Sequence, residues 1–301
     1  MRIRPSLPIR LATIGLFLAA CAPPADDTVA DGTRPGLEGA DTPLSGPEPF
    51  KLTVPQQDLD VTVDGFRIVP PMGLGSWAAF APTGSGDEMA VMGDVVVLES
   101  EVGPVQRTLV EHGLTVTGLH NHFVRDEPKV MFMHISGRAP RDELRAAVDA
   151  VFASVAGLRG ADPSSSPPAS VENTLDTAAI ADALGHSGTL SQGVYKVTIG
   201  RPDVALHGMG VTITTDMGFN TWAAWQGTPA RAAVAGDFTM LEHEVEPVIK
   251  TLVEHGIEVV AVHNHMVHEE PRVFFLHYWG VGPAAELAAG LRAALSRTGG
   301  P

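Results

Sequence analysis

The chain has 301 residues, 44% hydrophobic and 18% charged, which is enough apolar content for a sizeable core in one to three domains. Its 20 Lys+Arg against 35 Asp+Glu give a formal charge of −15. Such a surface repels phosphate backbones, which argues against a nucleic-acid partner and suits a cation, a neutral ligand or a basic partner.

At the N-terminus, Arg2, Arg4 and Arg10 form a positive region ahead of the short apolar run Leu11–Leu18, too short to span a bilayer as a helix. Leu18-Ala19-Ala20-Cys21 then resembles the lipobox of bacterial lipoproteins. That resemblance implies a signal peptide over residues 1–20, cleavage before Cys21 and a diacylglyceryl thioether on its sulfur. The expected partner is therefore a lipid bilayer, reached through acylated Cys21. The expected location is the cell envelope, at the outer membrane and periplasm where the cell has two membranes. Losing residues 1–20, with three arginines and no acid, takes the charge from −15 to −18. Cys21 is the only cysteine, so no intrachain disulfide can form. Residues 21–49 are rich in Pro, Gly, Asp and Ala and read as a flexible tether.

The rest of the chain is duplicated. Gly93–Ser136 aligns without gaps to Gly236–Trp279, with 24 of 44 positions identical. Upstream, Phe50-Lys51-Leu52-Thr53-Val54 matches Tyr195-Lys196-Val197-Thr198-Ile199, and Trp77-Ala78-Ala79 matches Trp222-Ala223-Ala224. The period is far longer than that of solenoid repeats, so the expectation is two domains, residues 50–156 and 174–298. The Pro/Ser-rich stretch 157–173 reads as their linker. The second copy opens with an additional helical pattern, Leu175–His186, where the first has only tether.

In chain order the second copy predicts β-prone runs at Tyr195–Ile199, Val211–Thr215, Thr221–Trp225 and Ala232–Leu241. A helix follows over Glu244–His255, with Val245, Val248, Ile249, Leu252 and Val253 at helical spacing, Pro247 in its first turn and Gly256 at its stop. Two strands come next, Ile257–His265 and Arg272–Tyr278, and then a helix over Pro283–Ser296. The first copy repeats the order and ends in a helix over Pro140–Ser154. These elements predict an α+β fold of two tandem homologous domains, each a mostly antiparallel sheet with packed helices, on a ferredoxin-like core.

Each copy carries a His-Asn-His…Glu-Pro…His cluster. Side chains alternate along a strand, so Leu114, Val116, Gly118, His120 and His122 are expected on one face, with the histidines continuing its core side. If His120 pairs opposite Phe132, His134 falls opposite Gly118, one diagonal step from His120. His120, His122 and His134 then converge, with Glu127 in the intervening turn as a fourth ligand or a base. His263, His265, His277 and Glu270 repeat the set. Three imidazoles and a carboxylate suit zinc or another divalent transition metal. The same groups suit proton transfer, and the rings equally suit polar packing at a hairpin end. His112 and His255 read as helix C-terminal residues. Glu99, Glu101, Glu242 and Glu244 read as helix N-terminal acids, and Trp77 and Trp222 as core. No P-loop, GxSxG or catalytic cysteine is present.

Gly236-Asp237-Phe238, Gly256-Ile257-Glu258-Val259 and His263-Asn264-His265-Met266…Glu269-Glu270-Pro271-Arg272…Phe275…His277 resemble the LppY/LpqO family of bacterial, often lipidated proteins. The resemblance implies the duplicated architecture and the lipid anchor, and no reaction. Phe123, Lys129 and Ile135-Ser136 depart from Met266, Arg272 and Tyr278-Trp279, which favours the second copy if one alone is active.

Overall fold

The computed structural model describes residues 42–43, 49–160 and 170–299. Cys21, the expected signal peptide and most of the expected tether lie outside the described residues. Among the described residues no helix is long and apolar enough to cross a membrane.

In the first copy β1 (Phe50–Pro55), β2 (Gly75–Pro82) and β3 (Glu88–Leu98) precede α1 (Val102–Glu111); β4 (Thr115–His120), β5 (Val130–Pro140) and α2 (Arg141–Arg159) follow. The second copy begins with α3 (Thr177–Leu184). It continues with β6 (Val194–Gly200), β7 (Asn220–Gly227), β8 (Ala232–Leu241), α4 (Val245–Glu254), β9 (Glu258–His263), β10 (Val273–Gly282) and α5 (Ala284–Leu295). The first sheet has the order β1-β2-β3-β5-β4, extended at β1 by Thr42–Pro43. The second has the order β9-β10-β8-β7-β6, extended at β6 by Thr189–Ser191. All neighbours are antiparallel. Strands β3 and β4 therefore run parallel with β5 between them, and α1 makes the crossover. This is the split β-α-β order of a ferredoxin-like core, with one change: the outer strand, β2, comes from upstream of β3 rather than after the last helix.

Three boundaries differ from the sequence reading. Helix α2 continues to Arg159, into the stretch read as linker, because Phe152 and Val155 extend its buried stripe. Thr42–Pro43, read as tether, pair with Lys51 and Phe50. The run Val211–Thr215 is strand only at Val211–Thr212 and turns into a single 3-10 turn at Thr215–Met217.

The helices cover one face of each sheet. Val105 and Leu109 of α1 and Leu144, Val148 and Val151 of α2 pack on Val91, Val95, Met133 and Ile135. Val248 and Leu252 of α4 and Leu287 and Leu291 of α5 do the same on Val234, Phe238, Leu276 and Tyr278, and α3 adds Ile180 and Leu184. The opposite faces are covered by the other copy. Val61, Ile68, Met72 and Leu74, from the segment between β1 and β2, pack with Ala224, Ala233, Ala235 and Trp279 of the second sheet. Leu206, Ile213, Met217 and Phe219, from the segment between β6 and β7, pack with Ala79, Ala90 and Met92 of the first. A buried side chain of this size contributes about 1.5–3 kcal/mol, so exposing this interface would exceed the roughly 5–15 kcal/mol that holds an ordinary domain folded. The two copies thus form a single unit rather than two beads on a string, and their described residues fall in one compact unit.

Two of the four acids expected at the helix N-termini, Glu101 and Glu244, are tied down by arginines from unrelated places in the chain, while Glu99 and Glu242 are exposed. Glu101 accepts the Leu98 amide at 2.8 Å and pairs with Arg159 of α2 at 2.8 Å. Glu244 accepts the Leu241 amide at 2.7 Å and pairs with Arg201, which follows β6, at 2.9 Å. Gln56 stands at the position equivalent to Arg201 and accepts a hydrogen bond from Arg159. Removing one partner of a buried pair leaves an uncompensated charge. Arg201→Met is therefore expected to destabilise the protein by about 3 kcal/mol, read from urea unfolding, and Arg159→Met to act similarly through Glu101.

Candidate functional site

The register expected for the histidine strands is present: His120 pairs opposite Phe132 and Gly118 opposite His134, with His263 opposite Phe275 and Ala261 opposite His277 in the second copy. The face they occupy differs from the expectation. A β-bulge between Val116 and Gly118, repeated between Val259 and Ala261, places two residues against one. It reverses the side-chain alternation. Leu114 and Val116 therefore stay with the helix-covered core, while the histidines project from the other face, toward the other copy.

All six histidines meet there. His120 and His263 stack across the pseudo-twofold axis with ring centroids 3.7 Å apart. His122 lies 3.9 Å from His277, and His265 lies 4.0 Å from His134. Within a copy the spacing is wider, 4.8 Å for His120–His134 and 4.7 Å for His263–His277. The expectation was one cluster per copy; the structure has one cluster built from both. His122 rests on Phe132 and His265 on Phe275, at 3.3 and 3.4 Å.

Glu127 and Glu270 are not in the cluster. Both are exposed, and their backbones bridge to Thr62 and His207. The carboxylate that turns inward in each Asp/Glu-Glu-Pro turn is the preceding one. Asp126 accepts the Val130 amide at 2.8 Å and Lys129 Nζ at 2.7 Å, and Glu269 faces the Val273 amide and Arg272. The carboxylates beside the histidines are Asp94 and Asp237, which the sequence reading did not select. Asp94 Oδ2 lies 3.4 Å from His122 Nε2. Asp237 Oδ2 lies 3.3 Å from His265 Nε2 and 4.0 Å from His277 Nε2. Their signal was available: a charged residue after a glycine, in the middle of an apolar strand, at the same place in both copies.

The protein fixes several rings through their second nitrogen. His134 Nδ1–H donates to the Gly93 carbonyl at 3.1 Å and His277 Nδ1–H to that of Gly236 at 3.0 Å. His122 Nδ1–H donates to the Gly73 carbonyl at 3.0 Å. A neutral ring held this way carries its lone pair on Nε2, the tautomer that metal-binding histidines adopt. Gly73 (φ 102°) and its equivalent Gly218 (φ 90°) also lie against the other copy's tryptophan: a Cβ on either would sit 2.8 Å from Trp222 or Trp77.

Burial pushes every one of these imidazoles below the usual 6.5, His122 to about 3, and the neighbouring rings push His120, His263 and His265 further. Burial raises the carboxyls of Asp94 and Asp237. Seven of the eleven buried side-chain atoms without a hydrogen-bond partner among the described residues belong to this cluster, including Nε2 of His120, His134, His263 and His277. Three sets of groups bring ligand atoms within 4.8 Å of one another and could hold an ion: His120/His134/His263, His120/His122/His277 and Asp237/His263/His265. Every set except the last draws on both copies.

The cluster opens on a cavity of about 400 Å³ that both copies line. Asp94, Asp237 and four of the histidines form its buried end. Trp77 and Trp222, read as core from sequence, are half-buried and form walls instead. Lys51 Nζ lies 4.3 Å above Trp77 and Lys196 Nζ 4.1 Å above Trp222. Burial lowers both lysines, Lys196 to about 8. His112, His186, His207, His243, His255 and His268 are exposed and outside the site.

The family model described as Domain of Unknown Function (DUF1259) matches residues 39–154 and again residues 178–297. The chain belongs to this family. The two matched regions are the two structural copies, so the duplication of the sequence is a duplication of the family's domain. No curated protein and no solved structure matches the chain.

A neutral, buried imidazole makes stability depend on pH in one direction. Below pH 6.5 the unfolded chain binds protons that the folded cluster refuses, so stability falls with pH. Asp94 and Asp237 act oppositely, since lowering the pH through their raised values relieves the burial of charge. Six imidazoles outweigh two carboxyls. Each imidazole held neutral costs up to about 1.4 kcal/mol per pH unit below its unfolded value. The melting temperature of chelator-treated protein is accordingly expected to drop steeply from pH 7 to pH 5. A flat or rising profile over that interval would show that the rings are charged in the fold.

Proposed function

We propose that the chain is an envelope lipoprotein whose two copies jointly bind zinc or another divalent transition metal, at a centre opening onto the 400 Å³ cavity. The observation that carries this reading is the convergence of six buried, neutral histidines and two aspartates, with an unpaired ring nitrogen on five of the histidines. Neutral imidazoles with carboxylates, and no thiolate, suit zinc, iron, manganese, nickel or copper. Backbone carbonyls fixing Nδ1 leave Nε2 available, as metal sites require. A bound ion would supply Lewis acidity at the buried end of the cavity, where Asp94 and Asp237 face the rings. The lipobox-like Leu18-Ala19-Ala20-Cys21 and the resemblance to LppY/LpqO proteins support an anchored, exported chain.

Protein purified without a histidine tag is expected to carry a divalent transition metal in stoichiometric amount by elemental analysis, and to melt lower after chelation. A metal present at a thousandfold over its Kd adds about 4 kcal/mol. Absence of metal together with a melting temperature indifferent to chelator would rule this reading out. His120→Phe with His263→Phe keeps two stacked rings and removes their nitrogens. Metal should be lost while the chelated protein remains folded. If the histidines only pack, the same pair would leave metal content and chelator response unaltered.

A second reading, a metal-free hydrolase with its cleft between the copies, draws support from the shared cavity and from the carboxyl–imidazole approaches of 3.3 and 3.4 Å. Hydrolysis that survives exhaustive chelation would favour it.

For the anchor, Cys21→Ser is expected to abolish incorporation of labelled fatty acid and release the protein from the membrane fraction. Unaltered labelling in that variant would remove the lipoprotein assignment.

A further inference from the structure

The lysines take no part in the metal reading, and their placement needs its own explanation. Lys51 and Lys196 occupy equivalent positions on β1 and β6 and line the same cavity, outward of the histidines. Each lies over a tryptophan of its own copy. Among the described residues Lys51 donates one hydrogen bond, to the Asp216 carbonyl at 3.1 Å, and the Asp216 carboxylate attracts it electrostatically. Lys196 has no hydrogen bond or ion pair to any described residue. A half-buried ammonium ordinarily finds a carboxylate, and this chain has 35 of them. Here the direct contacts of the two ammonium groups are aromatic faces and one carbonyl. Asp216 and Asp237, which also line the cavity, attract Lys51 and Lys196 without forming an ion pair with them among the described residues, and the two like charges repel across the common space. The arrangement is unfavourable alone and becomes favourable when an anion sits between them.

We propose that the cavity binds a small oxyanion, a phosphate or a carboxylate, held between Lys51 and Lys196 on the outer side of the histidine cluster. The volume of about 400 Å³ is in the range of small-molecule sites. The hydroxyls of Thr53 and Thr198 also line it and can donate to the same oxygens. Trp77 and Trp222 bound the space on either side, so an anion with a short apolar or planar body fits better than a bare extended chain. The overall charge of −15 opposes anions at long range, which makes the lysine pair, rather than the general field of the protein, the source of any such affinity.

The test is calorimetric titration of the mature chain with inorganic phosphate and with malonate at constant ionic strength, in metal-loaded and chelator-treated protein. One or both anions should bind to each form. Lys196→Met should weaken binding about tenfold or more, since a charge-assisted hydrogen bond is lost. Lys51→Met should act likewise, and Lys196→Arg should restore most of the affinity. Melting temperatures of the methionine variants, equal to or above that of the parent, exclude loss of the fold as the cause. Binding that persists unweakened in Lys51→Met/Lys196→Met, or that occurs only with metal bound and ignores the lysines, overturns the proposal, as does no binding in either form. Lysine-dependent binding in a protein that never takes up metal would uphold it while removing the metal reading.

Discussion

The stack of His120 on His263 lies where the two sheets meet, and the rest of the molecule is arranged around that meeting. Each sheet buries one face under its own helices and offers the other to its sister. The offered faces cannot close alone, because each is roofed by the segment that joins the first two strands of the opposite copy. The chain is thus arranged as a pseudo-twofold dimer of its own two copies, and its site lies on the axis that relates them. A centre on such an axis receives every ligand twice, which is how a motif of three histidines becomes a cluster of six.

The position is energetically demanding. Imidazoles and carboxyls are taken out of water in a layer otherwise filled by Ala, Val, Met and Phe, and desolvation is the first cause of every shift in their protonation. Phe132 and Phe275 support rings by stacking, and the carbonyls of Gly93, Gly236 and Gly73 hold three rings by one nitrogen each. Of the other nitrogens, Nε2 of His122 and of His265 approach Asp94 and Asp237, while Nε2 of His120, His134 and His277, Nδ1 of His265 and both nitrogens of His263 have no hydrogen-bond partner among the described residues. The scaffold therefore secures the orientation of the rings and leaves their chemistry to whatever enters from the cavity.

Much of this was legible in the sequence. Period and spacing located the helices Val245–Glu254 and Ala284–Leu295 within a residue or two, and the pairing assumed for the histidine hairpin, His120 opposite Phe132, is the one observed. The face did not follow, because one bulged residue reverses alternation and leaves no mark in composition. Glu127 and Glu270 misled for a related reason. The turn holds two adjacent acids, and only packing decides that Asp126 and Glu269 go in while their neighbours go out. The joining of two sites into one was hidden more deeply, since local patterns describe a strand and its neighbours and say nothing about which sheet faces which. The departures of the first copy from the second gain a reason in three dimensions: Phe123 meets Trp279 edge-on at 5.8 Å, so residues that look like erosion of a motif interlock across the axis.

Fusion of the halves has a consequence for the cavity. A true twofold pocket would treat both ends of a bound molecule alike. Here Asp216 stands where the first copy has Pro71, and Asn220 where it has Gly75. With both halves on one chain, each wall can change without its twin. The pocket keeps doubled lysines, tryptophans and histidines, yet its rim has acquired a left and a right. A guest gripped by symmetric groups can then be told head from tail, and a discrimination unavailable to two identical subunits becomes available to one chain.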